Sequence, residues 1–270
     1  MNAQPQLLAR EVLAAIDCAT ATEPLSARVP GFDLAQAYVC AAELRALRIA
    51  RGETPIGRKI GFTNRDLWEQ YRIDRPIWGY MYAHTAHPLD PAEVLPLAQF
   101  CEPQIEPEIV LRLLRAPEPG MDDDALLDCV EWIAHGFEVV QSIYPGWRFA
   151  VADTIAGCGM HGALRFGTPL AVTAENRAAI LDALPQFTVT LSCGNQIVET
   201  GRGSNVLGGP LTALRHLVEL LASDPINPPL AAGEIVTTGT LTRAYPVKAG
   251  QTWSTSMSGI LLAGISIRFG

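Results

Sequence analysis

In the stretch EPQIEPEIVLRL, residues 102–113, three glutamates interrupt a run otherwise suited to the inside of a protein. Side chains in a strand alternate between faces, so Glu106 and Glu108 share one face while Ile105, Pro107 and Ile109 share the other. Two carboxylates side by side repel, and burying either one unpaired is costly; a divalent cation between them resolves both difficulties. Oxygen ligands of this kind suit magnesium, manganese or calcium rather than zinc. The same alternation also suits an edge strand with its glutamates turned to solvent. A third carboxylate, Glu138, lies in GFEVVQSI, where Phe137, Val139 and Val140 predict burial, and a lone buried acid needs a partner. One candidate partner is an ion shared with Glu106 and Glu108, on which three carboxylates leave positions open for water and substrate. The other is a nearby arginine such as Arg148.

Lys59 supplies a cation to the same set. In GRKIGFT it stands between glycines that allow close approach to the backbone, and strand periodicity puts it on a face with Gly61 and Thr63. A lysine on a solvated face is the alternative. His84 and His87 form HTAH, which lacks helix periodicity and a third ligand, and His135, His161 and His216 read as structural or exposed. The chain has no Walker loop, dinucleotide fingerprint or GxSxG elbow.

The elements that must position these residues follow from periodicity. PQLLAREVLAAIDCA and DLAQAYVCAAELRALRIARG carry apolar residues at steps of three and four and predict a helical lead-in, with Asp33 as N-cap and Gly52 as stop. RKIGFT predicts a strand and RDLWEQYRI a short helix, and two prolines between Asp90 and Pro96 suggest a connection, so a boundary is set near residue 88. Residues 1–88 then form a small N-terminal helical or α/β region, and residues 89–270 the larger unit with the acidic strand. Within it, IEPEIVLRLL predicts a strand, DDDALLDCVEWIAHG an amphipathic helix capped by its aspartates, and FEVVQSIY a return to strand. QFTVTLS and QIVETG flank a Cys193-Gly194-Asn195 hairpin turn, PLTALRHLVELLA predicts a helix, and the tail adds two or three strands. The class is α+β, with mixed, mostly antiparallel β structure in the second part.

Composition bounds the partners. The 270 residues are 49% apolar and 18% charged, which speaks for a packed core rather than disorder. No apolar run is long enough to span a membrane. A net charge of −8 with no segregated basic patch opposes nucleic acid binding. The start of the chain lacks the basic and apolar blocks of a secretory signal, and six scattered cysteines without a CxxC pair suit a reducing compartment, so the cytoplasm is expected.

Taken in order, GRKIGFT, RPIWGYMY, IEPEIVLRL, FEVVQS, VADTIAG, RGSNVLGGPLTALRHLVELLA and TGTLTRAYPVKAGQTW resemble the 2-keto-4-pentenoate hydratase and 4-oxalocrotonate decarboxylase family of the fumarylacetoacetate hydrolase superfamily. The resemblance runs over about residues 55–270. It implies a small N-terminal α/β region followed by a mixed β-sandwich roll of the fumarylacetoacetate hydrolase C-terminal type, and a homo-oligomer. By position, it implies that Glu106, Glu108 and Glu138 hold Mg2+ or Mn2+ and that Lys59 of KIG is the active-site lysine. Thr240 of the TGT stretch falls near the substrate. The implied substrate is a short unsaturated 2-oxo acid like 2-hydroxypenta-2,4-dienoate, from aromatic-compound degradation, hydrated through a metal-stabilised enolate. Decarboxylation of a 2-oxohexenedioate and hydrolysis of an acylpyruvate can use the same intermediate, and a non-catalytic subunit that supports an active paralogue is a further alternative.

Several positions depart from the family pattern. YAH, with Ala83 and His84, stands where many members carry acids; EVVQSI replaces EVVDSR; and Gly157-Cys158-Gly159 replaces DNA. If the acids near YAH move a proton or place the water, His84 is the nearest residue able to take over as acid or base.

Overall fold

The computed structural model describes residues 4–270; residues 1–3, which open the segment read for a secretory signal, lie outside the described residues. Helices α1 (Gln4–Asp17), α2 (Leu25–Arg28) and α3 (Leu34–Ala50) form the lead-in. Asp33 caps α3 by accepting from the Gln36 amide, and α3 buries Ala37, Cys40, Ala41 and Leu44, the three-and-four spacing that makes one apolar stripe. Against it packs α1 through Leu8, Ala9 and Val12.

Fourteen strands follow, interrupted by short helices. They are β1 (Pro55–Gly61), β2 (Ile77–Tyr82), β3 (Ala86–Pro88), β4 (Val94–Leu95), β5 (Gln104–Leu113), β6 (Val130–Val140) and β7 (His161–Phe166), then β8 (Leu170–Ala171), β9 (Thr188–Cys193), β10 (Gln196–Arg202), β11 (Ile235–Thr237), β12 (Tyr245–Pro246), β13 (Thr252–Ser258) and β14 (Ser266–Phe269). The helices among them are α4 (Trp68–Tyr71), α5 (Asp123–Leu127), α6 (Val151–Ala156), α7 (Arg177–Ala183) and α8 (Pro210–Ala222). Nine strands form one sheet with the path β2-β1-β11-β5-β6-β7-β3, β12 adding to β5 and β8 to β6; the other five run β10-β9-β13-β14-β4. Strands from either side of residue 88 thus share the larger sheet. Ile105, Phe137 and Val139 of that sheet meet Leu191, Trp253, Ile267 and Phe269 of the smaller one, which is the sandwich-like packing that the family resemblance implied. Further along the same face, Ile109, Leu111 and Ile133 share a core with Leu211, Leu214, Leu217 and Leu221 of α8.

One element differs from expectation. The helix predicted over DDDALLDCVEWIAHG stops at Leu127, and Val130 already begins β6. Asp122 does cap the short helix, accepting from the Ala125 amide. Beyond it, Val130, Trp132 and Ile133 are β-branched or aromatic, and β5 offers a long antiparallel partner that overrides weak helical propensity. The Gly194-Asn195 hairpin forms as expected between β9 and β10, and all six cysteines are unbridged. Among the described residues no helix is long and apolar enough to cross a membrane.

Candidate metal centre and its cavity

The register of β5 on β6 sets Glu106 directly opposite Glu138, while Glu108, two residues on, projects from the same face of β5. Each of the three offers an oxygen within 4.8 Å of the others. Glu108 and Glu138 are fully buried; Glu106 opens onto a cavity of about 370 Å³.

Counting oxygens shows which are committed. His161, at the start of β7, donates from Nδ1 to Glu138 Oε1 at 2.7 Å, and Lys59 Nζ stands 3.1 Å from Glu138 Oε2 without an aligned hydrogen bond. The Gly239 amide donates to Glu108 Oε2 at 2.8 Å. That leaves Glu108 Oε1 and Glu138 Oε2 buried with no hydrogen-bond partner among the described residues, a costly state for anionic oxygens. Gly239 has φ +95°, and a Cβ there would lie 2.1 Å from Thr63 Oγ1, so only glycine brings this amide to the carboxylate.

Electrostatics point the same way. Three carboxylates face one ammonium, so two negative charges are unbalanced in a low-dielectric pocket. Burial pushes Glu106 up to about 7 against the pull of Lys59, and Glu108 rises well above the carboxylate range through burial and the neighbouring Glu138. Burial would raise Glu138 too, but Lys59 and then the His161 hydrogen bond outweigh it and hold it at about 2. Lys59 itself, which burial alone would lower, is held above its usual range by Glu138, Glu106 and Glu108. A divalent cation held by Glu106, Glu108 and Glu138 would balance the surplus and satisfy the orphaned oxygens, and an all-carboxylate donor set suits a hard ion. These residues fit such a metal.

Of the other residues singled out in the sequence, Thr240 lines the cavity with Lys59 and Glu106, its hydroxyl buried and unpartnered among the described residues. His84 is not brought there. The turn between β2 and β3 directs it away, so that its half-exposed ring lies 3.5 Å from an Arg48 nitrogen and 3.6 Å from Glu53, beside a separate cavity of about 190 Å³. Arg148 is not the partner of Glu138; Lys59 and His161 are. The sequence offers no stronger signal for His161 than the need of a buried Glu138 for a partner, and instead of being merely structural or exposed it is bound to the acidic cluster through Glu138. His135 is structural as expected, donating from Nδ1 to the Glu108 carbonyl oxygen, with Nε2 2.8 Å from Thr255 Oγ1. Burial depresses it to about 4, so it stays neutral.

The larger sheet of this two-sheet α+β fold thus presents a carboxylate triad beside a buried lysine. The chain matches the fumarylacetoacetate (FAA) hydrolase C-terminal family over residues 65–265 and belongs to it. It is similar to the 2-keto-4-pentenoate hydratase of Burkholderia vietnamiensis (strain G4 / LMG 22486), 30% identical over 88% of this chain and 87% of the relative. It is also similar to the 2-hydroxyhexa-2,4-dienoate hydratase of Comamonas testosteroni, 28% identical over 91% and 90%. Among solved structures, 4-oxalocrotonate decarboxylase from Pseudomonas putida G7, complexed with magnesium and adipate, superposes with a TM-score of 0.90 at 25% identity, covering 100% of this chain and 98% of that one.

Proposed function

We propose that the chain is a divalent-metal-dependent hydro-lyase that adds water to a short unsaturated 2-oxo acid, like 2-hydroxypenta-2,4-dienoate, in aromatic-compound degradation. The observation that carries this reading is the pair of orphaned buried oxygens on Glu108 and Glu138 beside a cavity-lining lysine, in a chain similar to hydratases over most of its length. Glu106, Glu108 and Glu138 hold Mg2+ or Mn2+. When bound, the ion supplies Lewis-acid stabilisation of negative charge on the substrate's 2-oxo oxygen. Lys59 holds the substrate carboxylate or moves a proton to the reacting carbons, Thr240 donates a hydrogen bond into the cavity, and His161 aligns Glu138. With His84 outside the cavity, the proton work assigned to it from sequence passes to Lys59. The enzyme is taken to be cytoplasmic and homo-oligomeric, binding small molecules only.

Similarity to a decarboxylase structure keeps one rival reaction in view, and product analysis separates them. Purified protein with magnesium and 2-hydroxypenta-2,4-dienoate is expected to yield the 4-hydroxy-2-oxo acid by NMR. Carbon dioxide from 2-oxohex-3-enedioate as the faster reaction would make it a decarboxylase, and pyruvate from an acylpyruvate a hydrolase. His161 makes a second prediction: partners that orient a metal ligand typically contribute 10- to 100-fold to affinity, so His161→Ala should weaken Mg2+ binding by about that factor. His161→Gln, which keeps a donor, should recover part of it. Wild-type affinity in His161→Ala would reduce the histidine to packing.

A further inference from the structure

The same cavity carries information about the end of the substrate remote from the acid. Its polar end is made by Lys59, Glu106 and Thr240, whereas four aromatic rings from three segments line much of the rest. Phe62 follows β1 and meets Tyr71 of α4 edge-on at 4.8 Å; Tyr71 stacks with Phe149, before α6, at 6.4 Å; and Phe149 lies 6.2 Å from Trp147. All four rings are only half-buried, so their remaining apolar surface faces the cavity or solvent instead of the core. The volume, about 370 Å³, falls within the range of pockets that enclose drug-sized ligands. A five-carbon acid anchored at Lys59 would leave much of this arc wet.

The charges are equally selective. Besides Lys59, the one cationic side chain lining the cavity among the described residues is Arg243, which is 78% exposed and already engaged by the Glu199 carboxylate and the Tyr245 hydroxyl. Apart from Glu106 at the acidic cluster, the other polar side chains there, among them Gln104, Asn64 and Thr242, are neutral. A second carboxylate at the far end would be taken out of water with only the exposed, partly engaged Arg243 to receive it, a solvent-screened partner that returns little of the desolvation cost. We propose that this cavity selects 2-oxo acids whose remote end is an uncharged aromatic or bulky apolar group, and disfavours dicarboxylates. The inference rests on the 2-oxo-acid reading above, in which 2-hydroxypenta-2,4-dienoate is then the smallest substrate the site accepts and a longer apolar tail binds more tightly.

Calorimetric titration of the purified full chain, loaded with magnesium, tests it with three unreactive acids that share a headgroup: 2-oxobutanoate, 2-oxo-4-phenylbutanoate and 2-oxoadipate. Burying a phenyl group on the aromatic arc should tighten binding at least about tenfold over 2-oxobutanoate, with 2-oxoadipate no tighter than 2-oxobutanoate. Phe149→Ala, and independently Tyr71→Ala, each shown by circular dichroism to be folded, should shrink the phenyl advantage at least about threefold. Phe149→Arg should shift preference toward 2-oxoadipate. Equal affinities for the phenyl and methyl acids, tightest binding of 2-oxoadipate, or a phenyl advantage that survives both alanine variants would overturn the inference while leaving the 2-oxo-acid site standing. Failure of all three acids to bind would overturn both.

Discussion

Lys59→Ala is expected to lower kcat by about a hundredfold to ten-thousandfold while leaving divalent-cation binding intact or slightly tighter. The lysine is buried and, among the described residues, is the one cation in contact with the acidic cluster, so on the proposed function its loss removes both the anchor for a substrate carboxylate and a group able to move a proton. Metal binding should survive because the ammonium competes with a cation for the same negative charge. Backbone holds the side chain in place: Gly159, at φ +63°, lies so close that a Cβ there would sit 2.8 Å from Lys59 Cδ. Steady-state kinetics and magnesium titration on the same preparation separate the two effects. Wild-type turnover would return Lys59 to a structural counter-ion for Glu138.

The second large effect concerns stability. Magnesium that binds only the folded chain stabilises it by about 2.7 kcal/mol at a hundred times its Kd, a rise in Tm of roughly 5–10 °C for a chain of this size. Glu106→Gln keeps the shape and removes one ligand charge, so most of that rise should vanish. The gain in wild type should also depend on pH. A carboxyl whose folded pKa is raised contributes stability below its unfolded value and loses it as pH climbs through the folded one. Without metal, Glu106 therefore weakens the fold as pH rises from about 4.5 toward 7, the level to which burial pushes it, and Glu108 extends the loss higher. The bound ion removes that penalty, so the magnesium-induced rise in Tm should be small near pH 5 and grow toward pH 8. Equal rises in wild type and Glu106→Gln, or a rise that does not change with pH, would exclude the triad as the metal site.

What was legible in the sequence was local. The period of two in IEPEIVLRL put Glu106 and Glu108 on one face, and the apolar neighbours of Glu138 announced its burial, because both depend on residues adjacent in the chain. The Glu106–Glu138 pairing depends on the register of two strands, which no short window contains, and the misread helix over 130–136 hid how far β6 reaches. His161 arrives beside Glu138 only through the β6–β7 pairing, 23 residues further along the chain. His84 looked close to the site in sequence, but the tight turn from Tyr82 to Thr85 sends its ring toward Arg48 and Glu53. A turn's direction follows from backbone geometry and not from the identity of the residue it carries. Family resemblance supplied the association of Lys59 with the glutamates; that β1 and β6, three places apart in the sheet order, bring Lys59 Nζ to 3.1 Å from Glu138 became visible only in three dimensions.

The most direct measurement is the ultraviolet absorbance of 2-hydroxypenta-2,4-dienoate with the purified chain alone, first stripped by EDTA and then given back Mg2+. The carboxylate triad predicts no loss of absorbance above the buffer rate in the stripped enzyme, rapid loss once magnesium is restored, and no such recovery in Glu106→Gln. Loss that continues undiminished in EDTA, or no loss with magnesium present, would contradict a metal-dependent hydratase.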